Sequence, residues 1–460
     1  MNWAARKKMY VMPWKDIDAF RTFARLADQP YSLFFDSARE GHPLSQYSYI
    51  CWHPLETIEC KDGRVTITNR ENQFTYTADP FIVIRERLAL WGEQRGHDKK
   101  LPPFQGGAAG FFGYDLARDL ELLPDLQDSD ELPDMCVGLY DKVIAFDHVK
   151  GTAHFIIHAE DEKEAQAHLT HVEMLMDHVP PYRPTKMDWQ SERSDTEFAS
   201  DIARTIEYIH AGDIFQANLS RRFTAPLPHG FNPLSHYGAL RKGNSAPCAA
   251  YLNFGGFHML SASPERFLNV TGRKIETRPI KGTLSTDQAP EVLENSAKDR
   301  AENVMIVDLM RNDLSKVCED HSVTVTKLCD IETFEGLHHM VSIITGTLQA
   351  DQTAMDALRA CFPGGSITGA PKIRAMEIIE ELEPNRRGPY CGAIGWIGYN
   401  GDMDTAITIR TLVFTRDEVR LQTGAGIVAD SIPEQEVTET LTKARKLFES
   451  FTPAATIAVA

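Results

Sequence analysis

An acid and an amine bracket one turn of this chain. Ser263-Pro264-Glu265-Arg266-Phe267 opens a strand-like run to Val270, and Thr271-Gly272-Arg273 turns the chain. Lys274 to Ile280 then runs back into Arg278-Pro279-Ile280-Lys281-Gly282-Thr283. In a hairpin, Glu265 and Lys281 finish near the same end, so a proton donor and a nitrogen nucleophile can flank one substrate. A surface Glu and Lys on neighbouring strands would look the same, because exposed charges are the norm. Spacing alone leaves both readings open.

Carboxylates form the second group. Asp299 and Glu302 are three apart on one expected helix, with Asp308 further along; Glu436 and Glu439 are three apart on the last helix, hence on one face. Each pair reads as a solvated face when taken alone. If the two faces meet at a pocket, their oxygens suit Mg2+.

Two glycine-rich segments follow. In Phe362-Pro363-Gly364-Gly365-Ser366-Ile367-Thr368-Gly369-Ala370-Pro371-Lys372, Gly364 and Gly369 have nucleotide-loop spacing, but Ala370 stands where the phosphate-binding lysine must be. A tight turn before a helix is one reading, and backbone N–H groups that hold an anion are the other. Gly424 and Gly426, in Gly424-Ala425-Gly426-Ile427-Val428-Ala429-Asp430, suit a carboxylate in the same way. Arg410 lies in the largely apolar run Ala406 to Phe414, where alternation groups it with Thr408 and Leu412. There it either caps a sheet edge or grips a carboxylate. His338 and His339 are adjacent and point different ways on any regular element, and a lone histidine is more often structural.

The elements that must position these groups read as antiparallel sheet with long helices. Leu55 to Cys60 and Arg64 to Thr68 flank Asp62-Gly63, and Gly392 to Tyr399 and Thr405 to Phe414 flank Asn400-Gly401. Both dipeptides favour tight hairpins. Val65 and Ile67 alternate with Thr66 and Thr68, as one buried face requires. Helical spacing joins Ala297, Ala301, Val304, Met305 and Leu309 within 294–317, and Val437, Leu441, Ala444 and Phe448 within 434–450. Pro371 opens a further helix that ends near Pro384. The proline-rich segment 181–194 separates residues 1–180 from residues 195–455, where most of the chemistry lies.

Composition narrows the class. The 460 residues carry 42% hydrophobic and 25% charged residues, ordinary for a globular protein. A net charge of -17 should repel nucleic acid and anionic membranes, so neither is an expected partner. An anionic substrate then needs a locally cationic or metal-loaded site. No apolar run is long enough to span a bilayer, and the N-terminus has no export-signal pattern. Eight dispersed cysteines fit free thiols in a cytoplasmic protein.

Together these segments resemble the chorismate-utilising enzyme family. The matching blocks include Gly212-Asp213-Ile214-Phe215-Gln216-Ala217-Asn218-Leu219, the stretches around Glu265 and Lys281, Asp299 to Asn303, Val307 to Asp313, His338 to Ser342, the glycine-rich segments, Asp402 to Asp404 and Ile407 to Thr411. They run in family order over about 195–450, and Gly106 to Tyr114 resembles the family's leading domain. The resemblance implies an α/β sandwich of large antiparallel sheets surrounded by helices, of the anthranilate synthase component I type. Two positions sort the chemistry within the family. Glutamine at 216 replaces the lysine with which isochorismate-forming members activate water, and lysine at 281 replaces the alanine of anthranilate-forming members. The pair resembles the branch that forms 4-amino-4-deoxychorismate, with the anthranilate-forming branch as the alternative.

What the resemblance implies can be stated residue by residue. Glu265 protonates the departing C4 hydroxyl of chorismate, near His339, and Lys281 attacks ring C2 to give a covalent adduct. Ammonia then enters at C4. Glu302 and Glu439, with Glu436 nearby, hold Mg2+, whose charge together with Arg278 helps keep Lys281 neutral. Arg410 and Lys443 hold the pyruvyl carboxylate, and Thr368, Gly424 and Gly426 complete the substrate-binding set. No glutaminase segment is present, so ammonia comes from a glutamine amidotransferase subunit in a heterodimer. Trp396 stands where relatives often have tyrosine near the substrate. Phe34-Phe35-Asp36-Ser37 is the counterpart of a Leu-Leu-Glu-Ser stretch that binds tryptophan in anthranilate synthases.

Overall fold

The computed structural model describes residues 7–39, 41–92, 95–124, 131–334 and 337–452. The first six residues, part of the stretch screened for an export signal, lie outside it, as do 453–455 at the end of the C-terminal segment.

Short turns set the local order. Asp62 and Gly63, at φ +47° and +69°, close the hairpin of Glu56–Lys61 with Arg64–Asn69. Both central residues take the left-handed region that a two-residue turn demands. Val65 and Ile67 are buried, so the alternating face is the inner one. A longer turn through Asn400-Gly401 joins Ala393–Gly398 to Met403–Ile407, with Gly401 at φ +87° and its N–H donating to Gly398 O.

These hairpins assemble into two twelve-stranded sheets, and every strand pairing in them is antiparallel. Each sheet takes strands from both sides of segment 181–194. In the first, Ser32–Asp36 pairs with Cys248–Asn253; in the second, Gly107–Phe112 pairs with Ala393–Gly398. At the second seam Gly107 faces Gly398, and a Cβ on Gly107 would lie 2.1 Å from the Ile397 carbonyl oxygen. Only glycine allows strands to approach that closely. The two halves of the chain therefore share both sheets.

The run from Thr405 to Phe414 is not one strand, contrary to the alternation argument. Met403–Ile407 belongs to the second sheet and Thr411–Phe414 to the first. Between them the Ile409 N–H donates to Ile407 O, and Arg410 takes φ +50°. Strand alternation fails because the backbone crosses between sheets here, and Arg410 sits at the crossing.

The long helix Ala297–Ser315 starts three residues later than expected, N-capped by Ser296. Its buried face is also rotated from the expected one. Asn303, Ile306, Val307, Met310 and Leu314 are buried, whereas Val304 is 40% exposed. A polar residue fixes that rotation: Asn303 Oδ1 accepts from Ser342 Oγ. Burying an amide requires such a partner, and a hydrophobic stripe drawn from apolar residues alone passes over it. Pro433–Glu449 buries Val437 and Ala444 as expected, and Lys372–Leu382 begins just after Pro371.

All eight cysteines are free. Among the described residues, no helix is long and apolar enough to cross a membrane.

Candidate active site

Lys281 is turned inward. Its strand, Ile280–Ser285, pairs with Leu337–Thr347, and the register slips between Lys281 and Thr283. Gly282 absorbs the slip at φ +72°; a Cβ there would lie 2.9 Å from Asp299 Oδ1. This glycine lets the first turn of helix Ala297–Ser315 close onto the strand. Because buried Asn303 fixes the helix rotation, its neighbour Glu302 faces the lysine. Lys281 Nζ stands 4.0 Å from Glu302 Oε2, with the lysine side chain 15% exposed. A Cβ added to Gly426 would lie 3.5 Å from that Nζ and 2.4 Å from Gln216 Nε2. The amine, the Gln216 amide and the bare Gly426 backbone thus converge on one spot. Gln216 is buried, and its Oε1 has no hydrogen-bond partner among the described residues.

Glu265 is buried and accepts a 2.7 Å hydrogen bond from Ser366 Oγ. Burial raises its carboxyl above the ordinary range, while Ser366, Lys281 and Arg410 pull it back without reversing the shift. The expected hairpin is real up to Thr277: Asn269 pairs with Glu276 and Val270 with Ile275. The chain then breaks at Pro279, which has no N–H to donate, and Lys281 joins the next strand. Lys281 is nonetheless near enough to pull on the Glu265 carboxyl, so the acid and the amine share one site.

Arg410 is near enough to influence both Glu265 and His339. The His339 imidazole is held at about 4, first by burial and then by Arg410 and Arg39. It is neutral at pH 7, with Nδ1 3.0 Å from Thr283 Oγ1. His338 turns the other way, to Thr333 Oγ1 at 2.7 Å. Arg278 donates to Glu332 Oε1 at 2.6 Å. Its charge is matched there.

The carboxylates meet lysines. Glu439 Oε1 lies 2.6 Å from Lys443 Nζ, which also donates to Gly424 O at 3.1 Å. Glu436 Oε1 accepts from Ser431 Oγ at 2.8 Å and from Lys298 Nζ at 3.4 Å. Burial raises Glu302, against the pull of Lys281 and Lys298. Burial would also raise Glu439, but Lys443 brings it below its ordinary value. Asp299 is tied to its own helix cap, its N–H donating to Ser296 Oγ and its carboxylate accepting from that hydroxyl, and Asp308 points outward to Arg311. Among the described residues, no three acidic, histidine or cysteine side chains are drawn together as a ligand cluster. The donor chemistry of Glu302 and Glu439 nevertheless fits a hard divalent cation: both offer carboxylate oxygens, Glu302 mostly buried and Glu439 half-exposed, and each lies within electrostatic reach of the other.

Other expected site residues are placed differently. Thr368 is fully buried, and its hydroxyl donates to Gly364 O at 3.0 Å, so it holds the turn that carries Ser366. A Cβ on Gly424 would meet Leu219 O at 2.6 Å and the Tyr390 hydroxyl at 2.9 Å. Trp396 stacks on Phe104 at 5.0 Å and lines a separate cavity of about 270 Å³ with Phe35, Asp36 and Ser37. Asp36 is already bound there by Arg241 at 2.7 Å.

Three residues escaped sequence reasoning. Ser366 lay unassigned inside the glycine-rich segment. Lys298 stands four residues before Glu302, a spacing that puts both on one helical face. Arg39, near His339, comes from the other half of the chain, and no local pattern announces it.

Comparisons with known proteins point to one family. A family model described as chorismate binding enzyme matches residues 30–449. The chain is 40% identical over 444 residues to aminodeoxychorismate synthase component 1 of Escherichia coli (strain K12), covering 95% of this chain and 96% of that one. It is 38% identical over 442 residues to anthranilate synthase component 1 of Thermus thermophilus, covering 93% and 94%. The crystal structure of anthranilate synthase component I from Streptococcus pneumoniae TIGR4 superposes with a TM-score of 0.79 at 34% identity, over 89% of this chain and 93% of that one.

Proposed function

Since the chain belongs to the family of chorismate binding enzymes, we propose that it converts chorismate and ammonia to 4-amino-4-deoxychorismate, a step toward para-aminobenzoate and folate. The observation that carries this reading is the inward Lys281, its amine beside Gln216 and Gly426 at the end of the sheet where Glu265 lies.

Glu265 is the general acid. Burial raises its carboxyl, which favours the protonated form that gives its proton to the C4 hydroxyl, which leaves as water. Lys281, as the free amine, attacks C2 while both double bonds of the conjugated ring shift and the C4–O bond breaks. Ammonia then bonds to C4, both double bonds shift back, and the C2–N bond to Lys281 breaks. The proton lost by ammonia restores the Glu265 acid. Gln216 Oε1, buried without a protein donor, can accept an N–H from the incoming ammonia. Neutral His339 offers a hydrogen bond near the departing water without adding charge. Arg410 grips the pyruvyl carboxylate, joined by Lys443 once it leaves Glu439.

Glu302 and Glu439, with Glu436 behind them, would hold Mg2+, which supplies positive charge for the ring carboxylate. The ammonia source is a separate glutamine amidotransferase subunit, and eight free thiols fit a cytoplasmic setting.

Incubation with chorismate, Mg2+ and ammonium, followed by mass analysis of the product, tests this reading. Aminodeoxychorismate is expected. Fluorescent anthranilate as the main product would assign the chain to the anthranilate-forming branch instead.

A further inference from the structure

Each of the three carboxylates is matched to its own ammonium group. Glu302 faces Lys281 at 4.0 Å, Glu439 faces Lys443 at 2.6 Å and Glu436 faces Lys298 at 3.4 Å. The reaction proposed above uses two of these lysines. It gives no task to Lys298.

Local helix energetics do not account for a lysine at this place. Lys298 is the second residue of helix Ala297–Ser315, just after the Ser296 cap. The positive end of the helix dipole disfavours a cation there. Its partner one turn on, Glu302, lies C-terminal to it, the weaker order for a helical ion pair. What the lysine faces supplies the missing attraction. Glu436 lies across from it on the first turn of helix Pro433–Glu449, is 3% exposed, and is fixed by Ser431 Oγ. The same ammonium lies within electrostatic reach of Glu302 and Glu439.

A divalent ion placed on Glu302 and Glu439 would bring two positive charges to where Lys298 already contributes one. Like charges at such separations repel by more than thermal energy even in a partly wet site. The Lys298 side chain is 52% exposed, so it can swing into solvent. Doing so gives up the Glu436 contact.

We propose that Lys298 is the resident counter-cation of this carboxylate group. It holds the acids in register before a divalent cation arrives, and it sets the affinity for that cation by competing with it. This rests on the reading that Glu302 and Glu439 hold Mg2+. Lys298 is a positioning residue and touches no reacting atom.

The test is calorimetric titration of the full chain with Mn2+, a hard divalent probe, and with Mg2+ in competition, both without chorismate. Lys298→Met keeps the aliphatic stem and removes the charge. It should bind Mn2+ roughly tenfold more tightly at low salt, with the difference shrinking at high salt. Lys298→Arg should stay close to the unaltered chain. A damaged fold would lose binding rather than gain it, so tighter binding cannot come from misfolding; Lys298→Gln serves if the methionine variant is insoluble. Unchanged or weaker affinity in the uncharged variants would overturn the proposal, as would no Mn2+ binding to the unaltered chain at millimolar concentration. Product analysis on the same samples keeps the two readings separate. Anthranilate as product would remove the proposed reaction and leave the affinity shift standing.

Discussion

Ser366 Oγ donates to Glu265 Oε1 over 2.7 Å, joining the glycine-rich turn to the acid. This bond favours the ionised carboxylate and opposes the burial that raises Glu265. Ser366→Ala removes it, so Glu265 should keep its proton to higher pH. The limb of kcat/KM that falls as Glu265 ionises should therefore move to higher pH. A pH–rate profile checks this, and a shift to lower pH would contradict the general-acid assignment.

Gly424 and Gly426 should respond differently to alanine. At Gly426 the new Cβ meets the movable end of Gln216, 2.4 Å away, beside Lys281 Nζ. Stability should change by about 1 kcal/mol or less, while turnover falls by roughly a hundredfold as Gln216 is displaced. At Gly424 the new Cβ meets the Leu219 carbonyl oxygen at 2.6 Å, where backbone must move. A stability loss of about 1–3 kcal/mol is expected. Urea unfolding beside steady-state kinetics separates the two, and the reverse order of stability losses would refute the placement.

His236 should make the fold sensitive to acid. Burial holds its imidazole at about 3, with the Phe451 ring 4.1 Å from its own. The folded chain refuses a proton that the unfolded chain accepts near pH 6.5. This contribution is therefore complete above about pH 6.5 and is lost as pH falls toward 3. Between pH 7 and pH 5 the loss is about 2 kcal/mol. His236→Gln cannot take up that proton. Its stability deficit relative to the unaltered chain should shrink by that amount on acidification, and urea midpoints at the two pH values report it. A deficit that stays constant would contradict the burial argument.

Much of the frame was legible because it is local. Short turns at Asp62-Gly63 and Asn400-Gly401 dictate hairpins wherever the chain ends up, and alternation at Val65 and Ile67 dictates the inner face. The seams between the chain halves were not legible. Phe34 pairs with Tyr251 across more than two hundred residues, and no short-range pattern encodes that partner. The face of helix Ala297–Ser315 was misread because buried Asn303, a polar residue, sets it. Arg410 was placed on a strand because sequence periodicity cannot register a crossing from one sheet to another. In the site, Lys281 lies near Glu265 although the expected hairpin breaks after Thr277, whereas the pairing of Glu436 with Lys298 depends on two helices meeting.

The account depends most on Lys281 acting as a covalent nucleophile. Its direct test is the rate of aminodeoxychorismate formation from chorismate and ammonium by Lys281→Ala, with circular dichroism to verify the fold. The account predicts a loss of at least about a hundredfold with the fold retained, because the amine that attacks C2 is gone. A rate equal to that of the unaltered chain would show that the amine is not needed.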